Sequence, residues 1–139
     1  MATARTLDWQ TKLDIMELIW RYNHAIDSGD ADGVADCFVE NGVFKGRSGE
    51  FIGRANLRKL GMTWRKSLYP RHIVSNILVT PHATDSNVAE VRSHLLFYEV
   101  MPSNIHFKTS GVYTDVVVKV DGSWKFRSRL MTLDAPEVE

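Results

Sequence analysis

The sequence predicts an α+β domain in which N-terminal helices pack on one face of a curved, mostly antiparallel sheet. Three observations point there. Early segments repeat apolar residues every three or four positions, the spacing of an amphipathic helix. From residue 71 onward, "RHIVSNILVT", "VAEVRSHLLFYEV", "HFKTSGVYTDVVVKV" and "SWKFRSRLMTL" are rich in β-branched and aromatic residues. Between them lie "PHATDSN", "MPSN" and "VDG", all turn compositions. Helices first and strands later give two layers. A long twisted sheet that curls over a helix closes into a cone with one open end, which is a natural small-molecule pocket.

The first helix is predicted over residues 8 to 27. Ile15, Leu18, Ile19, Tyr22 and Ile26 make its apolar stripe. Ser28-Gly29 ends it, with Gly29 suited to a left-handed cap. Asp30 is a good N-cap for a short helix over 31–38 that buries Val34, Cys37 and Phe38. Asn41-Gly42 is expected to turn the chain into a short strand, "VFKG". A loop with Gly46 and Gly49 leads to "FIG". "RANLRKLGMTWRKSL" predicts a third helix over 54–68, with Leu57, Leu60 and Trp64 inward and Gly61 as an interior weak point. The four long strands follow, and "APEVE" reads as a loose tail.

Size and composition exclude several classes. The 139 residues suit one domain, and 44% apolar with 24% charged residues is ordinary for a globular protein. Lys+Arg and Asp+Glu both number 17. A net charge of zero argues against a nucleic-acid or anionic-membrane partner, and it favours self-association into a homodimer or homotrimer. No apolar run approaches the roughly 20 residues of a membrane span, and the N-terminus lacks a signal-peptide core. The single cysteine, Cys37, has no intrachain partner and sits in an apolar pattern with no basic neighbour, so it reads as inert and the chain as cytoplasmic. The five histidines are scattered without HxH, HxxxH or HExxH spacing, and no glycine-rich phosphate loop follows a strand. No metal and no cofactor is expected.

Three stretches carry a resemblance. "YNHAIDSGDADGVADCFVENGVF", "RHIVSNILV" and "GVYTDVVVKVDGSWKFRSRLMTLD" resemble, in order and spacing, SnoaL-like proteins of the nuclear transport factor 2 (NTF2-like) superfamily. The resemblance spans residues 8 to 134 and implies helices followed by a curved sheet around a conical pocket. It is less specific for chemistry, because the superfamily holds dehydratases, isomerases, cyclases, epoxide hydrolases and non-catalytic dioxygenase β subunits. Its bile acid dehydratase-like and dehydrochlorinase-like members pair a polar residue on the first helix with an Asp five positions on. They add a His opening a long strand and an Arg on the last strand. Tyr22, Asp27, His72 and Arg129 match those positions. Tyr22 looks like the dehydratase version, since dehydrochlorinases have lysine there.

The residues can be weighed by themselves. At about 100° per residue, Tyr22 falls inside the apolar stripe, Asp27 at its margin and His24 on the wet side. A carboxylate at a helix C-terminus is disfavoured by the dipole, so stability alone does not select Asp27. His72 shares a strand face with Val74, Asn76 and Leu78. An Asp bonded to one imidazole nitrogen leaves the other as a base. A mid-strand Arg129, alternating with Arg127 and Met131, needs a partner: Asp27, Asp115 or a substrate oxyanion. His94 is a candidate second pocket histidine or an interface residue. Tyr113 and Asp115 share a face with Gly111 and are candidate pocket residues. Trp20, Phe44, Met62, Trp64 and Phe97 are the expected apolar wall.

The expected function is a cofactor-free lyase or isomerase, dehydratase-like, acting on a hydrophobic cyclic or aromatic small molecule. His72 is the expected base, Asp27 its orienting partner, Tyr22 a hydrogen-bond donor and Arg129 a stabiliser of negative charge. The alternatives are a non-catalytic ligand-binding or structural subunit, a polyketide cyclase, or an epoxide hydrolase. The hydrolase requires a late-strand carboxylate, such as Asp115, to share the cavity with Asp27.

Overall fold

The structure is a computed structural model that describes residues 6–135. The tail from Pro136 and the first five residues of the supposed leaderless N-terminus lie outside the described residues. Helix α1 (Trp9–Ser28) is followed by α2 (Ala31–Asp36), β1 (Phe38–Gly46), β2 (Gly49–Ile52) and α3 (Arg54–Gly61). Then come β3 (Pro70–Pro81), β4 (Val88–Val100), β5 (Ile105–Val120) and β6 (Ser123–Leu133). The strands form one sheet in the order β2-β1-β6-β5-β4-β3. All neighbours are antiparallel except β1 and β6, which run parallel.

The cap signals at Gly29 and Asp30 act as read, and the structure adds a cap at Asp8. The Asp8 carboxylate accepts from the Thr11 N–H at 2.7 Å, and the Asp30 carboxylate accepts from the Gly33 N–H at 2.9 Å. Gly29 has φ 71°, and the Gly29 and Asp30 N–H groups donate back to Ile26 and Ala25. This paired return satisfies the last carbonyls and fixes where α1 stops. The α1 stripe of Ile15, Leu18, Ile19, Tyr22 and Ile26 is buried against sheet residues such as Val91, Val117 and Phe126.

Three local expectations change. Asn41-Gly42 does not turn the chain before a short strand. It lies inside β1, in a stretch where residues between Phe38 and Val43 are unpaired with β6. The short second helix stops at Asp36, and Phe38 opens β1. The third helix stops at Gly61, not at Leu68. A Cβ at Gly61 would lie 2.8 Å from the Ala31 Cα, so glycine permits α3 to press on α2. Beyond it, i to i+3 bonds from Thr63, Arg65 and Ser67 carry the chain in tight turns. Trp64 therefore sits on this turn segment, not on a helix face.

Bulges reset the strand faces. Between Ser75 and Leu78, β3 has one residue more than β4, and Asn76 there has φ 54°. The alternation flips, so Ile77 and Val79 pack inward while Leu78 is 69% exposed. Leu78 therefore does not share the His72 face. Arg127 is likewise an extra residue opposite β5, which leaves Arg127 exposed while Phe126 and Arg129 are both buried. Lys108 is extra in β5 opposite Phe97-Tyr98.

Candidate active site

The last turn of α1 lies along β3, the edge strand of the sheet. An edge strand has outward N–H groups without a strand partner. The His72 N–H is one of these, and it donates to both Asp27 oxygens at 3.1 and 3.2 Å. The same carboxylate meets His72 Nδ1 at 2.6 Å. A carboxylate only accepts, so Nδ1 carries the hydrogen and Nε2 is left as a base. Asp27 thus holds the histidine twice, by backbone and by ring. The side chains are only 7% and 13% exposed.

The His72 ring forms part of the wall of a cavity of about 400 Å³. Its ring packs at a tilt against Phe97 with centroids 4.4 Å apart, and Phe97 packs at a tilt against Trp64 at 4.5 Å. Trp64 is placed by its neighbour Arg65, whose Nε–H donates to the Gly29 carbonyl at 2.9 Å. Leu95, Phe44 and Met131 complete the apolar lining, and Arg47, Glu99 and Lys108 stand among the lining residues too. Behind the dyad, on the outside, Asp27 and His72 also border a surface groove of about 530 Å³ with Trp20, Asn23 and Arg71. The dyad is therefore a partition between an apolar cavity and an outer groove.

Below the cavity is a second acid–base pair. Arg129 Nε–H donates to Asp115 Oδ1 at 3.1 Å, and both side chains are fully buried. The guanidinium lies over the rings of Tyr113, Tyr22 and Phe126, at 3.7, 4.5 and 4.6 Å from their centroids. Burial lifts the Asp115 carboxyl to about 6, against the pull of Arg129. Burial works against the Arg129 charge, but Asp115 and the two phenols outweigh it and hold Arg129 above its ordinary value. Burial raises the Tyr22 hydroxyl well above the usual range and Tyr113 to about 12.

The sequence candidates divide accordingly. Asp27 and His72 meet. Tyr22, Phe44, Trp64, Phe97 and Tyr113 line the cavity. The Tyr22 hydroxyl is buried with no hydrogen-bond partner. Arg129 is not a wall residue, because Tyr22 and Tyr113 stand between it and the cavity. Asp115 turns to Arg129 and not to the cavity, so it is not available as the second carboxylate of the hydrolase alternative. Trp20 is 41% exposed on the outer groove, since its position on α1 lies past the stripe margin. Met62 caps α3 and is 38% exposed. His94 is on the outer sheet face, bonded to Asn76 at 3.0 Å. His24 is exposed, and Cys37 is buried with its thiol pushed up to about 11 by desolvation. Leu95 escaped the sequence reading, although its shared face with Phe97 was a usable signal. Lys108 escaped for a different reason: its bulge is invisible in the sequence.

A profile of the SnoaL-like domain matches residues 8–130. The chain belongs to the SnoaL-like domain family. Solved structures carry the same fold. A Mycobacterium tuberculosis protein of unknown function, Rv3472, is 29% identical over 92% of this chain and 74% of that one, with a TM-score of 0.84. An NTF2-like protein with a cystatin-like fold from Novosphingobium aromaticivorans is 21% identical over 92% and 84%, at 0.81. A provisionally assigned scytalone dehydratase from the same species is 24% identical over 94% and 90%, at 0.75. No curated protein matches the sequence. In this SnoaL-like domain helices cover one side of an open six-stranded sheet, and the similar solved structures are described as NTF2-like or cystatin-like in fold. Among the described residues no helix is long and apolar enough to cross a membrane.

Proposed function

We propose that this SnoaL-like domain is a cofactor-independent lyase or isomerase for a hydrophobic cyclic or aromatic small molecule. The observation that carries the reading is the Asp27–His72 dyad, with a 2.6 Å bond and an imidazole that is also a cavity wall. In the proposed step, His72 Nε2 removes a proton from a carbon beside a carbonyl or a leaving group. The electron pair left on carbon forms an enolate or expels the leaving group. Asp27 balances the imidazolium and keeps the ring oriented for return of the proton. Trp64 and Phe97, packed against each other, offer aromatic surface to a ring, and a cavity of about 400 Å³ suits a small molecule. The neighbours supply the fold, and the chemistry rests on the dyad.

Turnover of a panel of aromatic and alicyclic alcohols, ketones and halides tests the reading. The wild type is expected to convert at least one member, and His72→Ala and Asp27→Asn to lose that conversion. Equal turnover in all three proteins would discard the dyad. Ligand binding without turnover in the wild type would instead support the non-catalytic binding module.

The partner proposed for the outer sheet face is a second copy of the chain, in a homodimer or homotrimer. The support is its exposed Leu78, Leu96 and Leu130 together with a net charge of zero. Light scattering on the purified protein decides this, and a monomer at micromolar concentration rejects it.

A further inference from the structure

The Arg129 cluster is larger than a structural ion pair requires. Arg129 spends one N–H on Asp115, while its Nη1 and Nη2 are buried and have no hydrogen-bond partner. Those nitrogens belong to a guanidinium stacked 3.7 Å from the centre of Tyr113, the closest of its three ring contacts. Tyr113 in turn lines the cavity. Its position is fixed by the sheet: Tyr113 pairs with Met131 on β6, and Asp115, two residues on, pairs with Arg129. The same β5 face therefore offers one side chain to the cavity and the next to the guanidinium.

The geometry points to Tyr113 as the hydrogen-bond donor of this cavity, contacting a carbonyl or leaving oxygen of the substrate, with Arg129 as its positioning residue. The contact rests on the reading of the cavity as the substrate site. A cation on the face of a phenol withdraws electron density from the ring and strengthens the O–H as a donor. It also holds the ring still, so the donor is preorganised for the charge that develops on oxygen. Tyr113 and His72 line the same cavity. Base and donor would then act on one substrate from two walls: His72 takes the proton from carbon, and Tyr113 receives the charge that moves to oxygen. Tyr22 is the less suitable hydroxyl, because its oxygen has no accessible surface.

An aryl ketone reports the contact directly. The probe is 2-acetylnaphthalene, isotope-labelled at the carbonyl and followed by infrared difference spectroscopy. Bound to the wild type, its carbonyl band is expected at lower wavenumber than in hexane. Tyr113→Phe should return the band toward the hexane position, and Tyr22→Phe should leave it unmoved. The double variant Arg129→Met with Asp115→Leu removes the cation without stranding a carboxylate. It should bind the ketone with a smaller shift, and Arg129→Lys, which keeps the charge without the planar stack, should fall between. An unmoved band in Tyr113→Phe, a moved band in Tyr22→Phe, or no binding of the ketone would overturn the assignment. An unmoved band in both arginine variants would overturn the role of Arg129. His72→Ala leaves the Tyr113 contact in place, so a failure of the base reading and a failure of the donor assignment give different results.

Discussion

Two acid–base pairs stand within one small domain, and their surroundings are opposite. Asp27–His72 joins a helix end to an edge strand and borders open space on both sides. Asp115–Arg129 joins two central strands and borders none. In the first pair, the carboxylate leaves a basic nitrogen free toward a cavity. In the second, the charge is sealed beneath aromatic rings and reaches the cavity only through them. Position relative to the cavity, more than residue type, separates the two pairs.

The comparison is broken most severely by removing Arg129. Arg129→Ala strands a buried carboxylate and should cost about 3–5 kcal/mol of stability, read by denaturant unfolding. The double variant Arg129→Met with Asp115→Leu should recover most of that loss. A single variant with wild-type stability would show that the pair is not sealed as described.

Asp27→Asn should act the other way round. It keeps an oxygen for the His72 backbone N–H, so its stability cost stays near 1 kcal/mol. Any turnover that depends on the base should nevertheless fall about 100- to 10,000-fold. Parallel measurements of kcat and of unfolding midpoint separate the two pairs: large on activity for Asp27, large on stability for Arg129.

Gly61→Ala probes the packing that sets Trp64 over the cavity. The added methyl meets the Ala31 backbone, so a cost of about 1–3 kcal/mol is expected by thermal unfolding. A pH dependence tests the buried pair in a second way. The folded value of Asp115 is raised to about 6, so the folded chain holds that proton more readily than the unfolded chain. The contribution is complete below about pH 4, the ordinary carboxylate value, and is lost as pH rises through about 6. Relative to the double variant, the wild type should therefore lose stability across that window. A difference that stays flat, or that grows with pH, contradicts the raised value.

Much of the fold was legible because its signals are local. The α1 stripe, the caps at Gly29 and Asp30, and the ends of β4 and β6 each depend on a few neighbouring residues. The candidate site was legible only in part. Asp27 was suspect as an acid at a helix C-terminus, and His72 as a histidine opening a strand, but neither signal contains the other residue. Leu78 and Arg127 were placed on the wrong faces because strict alternation holds only without bulges. One extra residue flips every side chain beyond it. Met62 and Trp64 were assigned to a helix that close packing on Ala31 brings to an end at Gly61.

The sequence by itself determined the elements: which segments coil, which extend, and which of their faces are apolar. Periodicity and capping are set within a few residues, so the linear order holds them. Only the tertiary structure decided that β1 lies parallel to β6, that Arg129 takes Asp115 and stacks on Tyr113, and that Asp27 reaches His72 across 45 positions. Those choices depend on register, bulges and the packing of distant elements, which are fixed together by burial of one shared core.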